Sequence, residues 1–106
     1  MRTFINLFDD SNWEDANDYP KGTKRKVLRD EDNRKTVLLK LPKGFELGAH
    51  SHITAEQHFV LEGAYTSDGE VYPAGSYQIF SPHDEHGPFK SENGALVLVI
   101  WDSFEE

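Results

Sequence analysis

Residues 48–56 read GAHSHITAE, which places His50 and His52 one residue apart and Glu56 four residues after the second. Imidazole nitrogens and carboxylate oxygens are the donors that bind borderline divalent cations, and both groups can carry protons in catalysis. A His-x-His pair by itself is more often a polar strand segment than a site. In an extended strand alternate side chains share a face, so His50 and His52 point the same way and Glu56 has the same parity. On one straight strand, however, His50 and Glu56 stand about 20 Å apart at about 3.3 Å per residue. Ligands of one ion each lie about 2 Å from it. If the three share an ion, the chain must reverse between His52 and Glu56. Ile53, Thr54 and Ala55 then form the reversal, and Gly44 and Gly63 bracket the two strands.

The elements that would position such a group are short. Proline and glycine punctuate the chain, leaving runs of five to eight residues, and no segment of helical length keeps a 3.6-residue apolar period. Val27–Leu28, Thr36–Leu41, His58–Leu61, Tyr77–Phe80 and Ala95–Trp101 read as strands. Asp30 to Asn33 reads as a polar hairpin turn, and Ser67-Asp68-Gly69 as another, because Asp-Gly tolerates the positive φ of tight hairpins. The last strand is apolar on both parities and is expected to be buried on both faces. Ser11 to Glu14 could cap one helical turn. The fold class expected is all-β, a sandwich or barrel.

The chain has 106 residues, no cysteine and a net charge of −8. That length suits one domain with one modest core. The missing thiols exclude disulfides, thiolate metal sites and a cysteine nucleophile. The acidity argues against non-specific binding to polyanionic nucleic acid. The basic stretch Lys21, Lys24, Arg25, Lys26 and Arg29 reads as a solvated strand edge facing nearby acids. No run approaches the about 18 apolar residues of a membrane span, and the N-terminus lacks the apolar core of a secretory signal. The expectation is a cytoplasmic protein with neither nucleic acid nor membrane as partner.

Gly44-x5-His50-x-His52-x3-Glu56-x6-Gly63 resembles the first cupin motif at every fixed position. Pro73-x-Gly75, Pro82 and His86 resemble part of the second. The stretch from Val60 to Pro88 is most similar to the small ChrR-like cupins, which resemble the C-terminal domain of a zinc-dependent anti-sigma factor. The resemblance covers nearly the whole chain. It departs where Gly87-Pro88 follows the last histidine in place of a polar residue, and a separate zinc-binding anti-sigma domain is not expected within these 106 residues.

The resemblance implies a double-stranded β-helix, a jelly-roll barrel of two antiparallel sheets with little helix. It implies a single domain over residues 1–106, with 1–22 as an N-terminal arm and 23–103 as the barrel. His50, His52, Glu56 and His86 would hold one divalent ion, Zn or Fe first and Mn, Ni or Cu otherwise. His83 is the rival of His86, but it follows Pro82 in a turn and should be exposed. Open positions on the ion would take a small-molecule ligand.

Two functions are consistent with that implication. One is a metal-dependent enzyme acting on a small oxygen-chelating substrate: a dioxygenase if the ion is Fe(II), a Lewis-acid hydrolase or isomerase otherwise. Glu56 and His58 would then move protons. The other is a non-catalytic metal-binding or sensing module with structural zinc. Of Tyr77 and Gln78 one should face inward. Phe59, Phe80, Leu98, Ile100 and Trp101 are expected as core or pocket wall, and Asp102 at the solvent. Phe4, Phe8 and Trp13 stand in a polar stretch and could pack on the barrel or on a second copy; a homodimer is expected.

Overall fold

The computed structural model describes residues 2–32, 34–51 and 54–102. Nine strands follow in chain order: β1 (Glu14–Asp15), β2 (Lys24–Glu31), β3 (Arg34–Leu41), β4 (Phe45–Leu47), β5 (Ala55–Ser67), β6 (Glu70–Pro73), β7 (Tyr77–Phe80), β8 (Phe89–Ser91) and β9 (Ala95–Asp102). Every pairing is antiparallel, and the described residues contain no helix. The expected helical turn at Ser11 to Glu14 is a correction: Glu14 and Asp15 extend and pair with Arg25 and Lys24. Opposite charges facing across a ladder favour the strand, and a single cap has too little behind it to nucleate a helix.

The strands make a curled antiparallel sheet, a jelly roll in two halves joined by β5. One half runs β1-β2-β3-β9-β5 with β7 at its far edge; the other places β4, β8 and β6 on the distal part of β5. Strand β5 crosses between the halves through a bulge at Val60/Glu62. Burial follows that bulge. Glu56, His58 and Val60 are buried on even positions, then Tyr65 and Ser67 on odd ones. An extra residue flips which parity faces inward. Gly63 sits at the crossing with φ of 71°, inside β5 and not at a strand boundary as the sequence suggested.

The core lies between the halves. Val37, Leu39 and Leu41 of β3 meet Val97 and Val99 of β9, with Phe45, Val60, Tyr65 and Phe89. On β9 the two faces differ: Ala95, Val97 and Val99 are in the core, whereas Leu98 and Ile100 on the opposite face are half-buried. Phe59 shares that outer face, opposite Leu98, and packs on Tyr77 with ring centroids 4.8 Å apart. Of the expected pocket wall, Phe80 and Trp101 therefore face inward and Phe59, Leu98 and Ile100 do not.

The basic stretch behaves largely as a paired edge. Lys24 bonds Asp15, Arg29 bonds Glu31 at 2.6 Å, and Lys26 lies 4.6 Å from the Trp13 ring centroid. The arm is clasped by Asp10, whose Oδ1 accepts from Lys40 Nζ at 2.8 Å and Trp13 Nε1 at 3.0 Å. The Lys40 bond first, then that of Trp13, hold the Asp10 carboxyl below its ordinary value of 3.8. A lowered folded pKa means the clasp contributes fully above 3.8 and is lost as pH falls through the lower folded value. The Trp13 indole N–H resonance is expected to stay fixed from pH 7 to about 4 and move below that. Asp10→Asn should abolish the acid step; an unchanged profile would show that Asp10 does not hold the arm.

Candidate metal centre

Three ionisable side chains converge inside the barrel. The ligand-capable atoms of His50, Glu56 and His86 all lie within 4.8 Å of one another. Three elements bring them there. His50 and His86 form an isolated antiparallel bridge, with N–H···O bonds of 2.9 and 2.8 Å in the two directions. Their rings meet edge to face at 4.4 Å, and Glu56 enters from the start of β5. The chain thus reverses between His50 and Glu56, as one shared ion requires. His52 and Ile53 lie outside the described residues, so the tip of that reversal and the second expected histidine do as well.

Two of the three residues are deeply buried, Glu56 and His86 at 3% exposure each. His86 Nε2 lies 3.5 Å from Glu56 Oε1. His83, the rival candidate, is exposed with φ of 68° and is not among the side chains that converge. Ligand atoms around an ion with bonds of about 2.1 Å stand about 3 to 4 Å apart. Two imidazoles and a carboxylate in this arrangement therefore fit a divalent ion with small side-chain adjustments.

Glu56 is held by donors on both oxygens. Trp101 Nε1 donates to Oε1 at 2.6 Å, and His58 Nε2 meets Oε2 at 2.5 Å. Burial alone would raise the Glu56 pKa, but the His58 hydrogen bond and the nearby His58 and His86 rings outweigh it and hold the carboxyl below its ordinary value. His58, itself 7% exposed, passes the array on: Nδ1 meets the Tyr65 hydroxyl at 2.8 Å, and that hydroxyl meets Gln78 Oε1 at 2.7 Å. Burial, then Tyr72 and Glu56, push the Tyr65 pKa up, so its hydroxyl keeps its proton.

Two hydrogen arrangements satisfy this array. With Tyr65 donating to Gln78, Nδ1–H donates to Tyr65 and Nε2–H to Glu56. With the Gln78 amide turned, Tyr65 accepts from the Gln78 amide and donates to Nδ1. The amide orientation is assigned from the network, and it decides whether the Tyr65 hydroxyl donates to Gln78 or to His58.

Gln78, not Tyr77, is the inward member of its pair; the Tyr77 hydroxyl instead bonds Gln57 on the outer face, where Gln57 also meets Asp102. Tyr65 is the contributor that reasoning on residue type missed, and Trp101, expected only as core or pocket wall, also bonds Glu56. Tyr65 lies seven residues past His58, an odd step that strict alternation sends to the other face; the bulge returns it. A small, partly open cavity of about 30 Å³ adjoins the group, lined by His50, Glu56, His58 and Tyr65 with Tyr19 and apolar side chains. That volume holds one ion or water.

The family model described as the ChrR cupin-like domain matches residues 2–105. No curated protein matches the chain. Among solved structures, the complex of Rhodobacter sphaeroides SigE with the anti-sigma ChrR superposes with a TM-score of 0.73 at 24% identity. The match covers 90% of this chain and 50% of that one, so the present chain spans half the length of its counterpart. An RmlC-like cupin from Shewanella frigidimarina gives 0.77 at 24% identity, covering 99% and 95%. An acetylacetone dioxygenase from Acinetobacter johnsonii gives 0.78 at 16%, covering 95% and 74%. At these identities the likeness is one of fold.

Proposed function

The chain belongs to the ChrR cupin-like domain family, and we propose that it is a metal-dependent enzyme acting on a small oxygen-chelating substrate. The observation that carries this is the convergence of His50, Glu56 and His86 within 4.8 Å beside a buried proton-bearing array. On the sequence motif, His52 is proposed as the fourth ligand. The donor set suits Zn, Fe(II), Mn, Ni or Cu(II). The reading takes residues 23–103 as the barrel and 1–22 as its arm. It also takes the protein as a homodimer, with the exposed Phe4 and Phe8 of the arm available to pack on a second copy.

A bound ion would supply Lewis acidity toward a chelated oxygen pair and, as Fe(II), a place for dioxygen. The remaining work belongs to the chain. Trp101 and His58 hold both Glu56 oxygens, so the carboxylate presents one oxygen toward His86 while Oε2 faces His58. His58 Nε2–H orients the Glu56 carboxylate, and the His58–Tyr65–Gln78 array holds that ring in place while Glu56 handles the proton. The lining beside the group is mostly apolar, which limits the water that can compete at the site.

A second reading, a sensing or structural module, is favoured by one observation: the cavity as it stands admits a single ion or water. The two separate by experiment. Protein loaded anaerobically with Co(II) is expected to bind about one ion per chain, and acetylacetone or catechol should then perturb its visible spectrum. A metallated protein that ignores the chelator panel is a structural or sensing module. A protein that takes up no ion is neither.

A further inference from the structure

We infer that a pocket beside the cluster receives an anionic group, which makes the favoured ligand a small oxygen chelator that also carries a carboxylate; this rests on the metal-site reading above. Strand parity puts two cations on the inner face of the barrel. On β3 the inward positions run Lys35, Val37, Leu39 and Leu41, and Arg25 of β2 stands opposite Leu39 in the ladder. Inward strand positions are normally apolar, because a cation there loses hydration. Here Arg25 and Lys35 line a pocket of about 260 Å³ with Asp18, Tyr19 and Trp101.

Arg25 is under-used by its own chain. Its Nε is buried and has no hydrogen-bond partner among the described residues. The nearest acids, Glu14 and Asp18, stand 3.8 Å away, beyond hydrogen-bond reach, and both are largely exposed. An incoming carboxylate can take those donors without stranding a buried charge. A planar guanidinium with an ammonium nearby is the donor set that binds carboxylate through paired bonds. The chain's net charge of −8 repels anions generally, so a local cationic pair selects where an anion can sit.

The pocket and the metal cluster are separated by two side chains. Lys35 faces Trp101 across the β3–β9 ladder, and the indole N–H of Trp101 bonds Glu56. Tyr19 lines both this pocket and the inner cavity. It stands on a loop closed by Tyr19 N–H to Ala16 O and Thr23 N–H to Pro20 O bonds, outside any ladder. The two spaces meet at the Tyr19 ring, so the proposal requires that ring to turn aside. A chelating head then reaches the cluster while its carboxylate stays between Arg25 and Lys35.

The test compares two probes with the same chelating head, catechol and 3,4-dihydroxybenzoate, titrated into Co(II)-loaded protein and followed by the visible spectrum. The wild type is expected to bind 3,4-dihydroxybenzoate about tenfold more tightly than catechol, the range of one charge-assisted contact. The double variant Arg25→Gln/Lys35→Gln should bring that ratio to about one while leaving catechol affinity in place. Equal affinities in the wild type overturn the inference without recourse to any variant, and so does a preference that survives in the double variant. Absence of Co(II) uptake, or of any response to both probes, instead overturns the metal-enzyme reading, and the inference falls with it.

Discussion

His86→Ala is expected to lower the affinity for Co(II) or Zn(II) more than about a hundredfold, beyond the 10- to 100-fold typical of losing an outer orienting partner. The imidazole is one of three groups within 4.8 Å, and it lies at 3.5 Å from the Glu56 oxygen that faces the cluster. The fold should survive, because the His50–His86 bridge is made by backbone N–H and C=O groups that alanine retains. His83→Ala is the matched control: that residue is exposed and outside the converging group, so affinity should be unchanged. Elemental analysis and chelator competition on folded protein measure both. If His83→Ala loses the ion and His86→Ala keeps it, the ligand assignment is wrong. Trp101 offers a check without activity, since its N–H bonds Glu56 and metal uptake should alter its emission.

That His50 and Glu56 come together could be anticipated from residue type and spacing, whereas His86 entered only through the resemblance to the cupin motif. Two imidazoles and a carboxylate on one short stretch cannot share an ion unless the chain turns, and the structure turns between His50 and Glu56. The long strands were readable for a similar reason: β3 and β9 carry the Val and Leu runs that mark buried strands. Strands β1, β4, β6 and β8 have two to four residues each, too short for any period to appear. Tyr65 was hidden by the bulge, since a single inserted residue inverts every later side chain and leaves no compositional trace. Phe59, Leu98 and Ile100 misled because apolarity reports burial without saying which side of a sheet is covered. The cations at Arg25 and Lys35 look like ordinary edge charges until the ladder shows that they share a face with Leu39 and Val37.

The bulge also locates the substitution with the largest expected effect on stability. Gly63→Ala should destabilise the protein by about 4 kcal/mol, near the top of the range for single changes and a large share of the about 5–15 kcal/mol typical of a domain. Two costs add. The backbone at Gly63 has φ of 71°, where a side chain costs about 1–2 kcal/mol. A Cβ there would also stand 2.3 Å from the Gly94 carbonyl oxygen and 2.9 Å from Ala95 Cα. Both are backbone atoms of the turn entering β9, so relief requires moving the strand that pairs with both β3 and β5. Gly69→Ala separates the two costs, because its φ is 79° but nothing lies within 4 Å of the added Cβ. In urea unfolding followed by far-UV circular dichroism, Gly69→Ala should lower the midpoint modestly and Gly63→Ala far more, with slopes unchanged. Equal shifts would mean that β9 yields to the intruding methyl, and that the close crossing of β5 over the Gly94 turn does not fix the barrel. A large excess at Gly63 would tie the site to the fold, because the same crossing re-aims β5 so that Tyr65 meets His58.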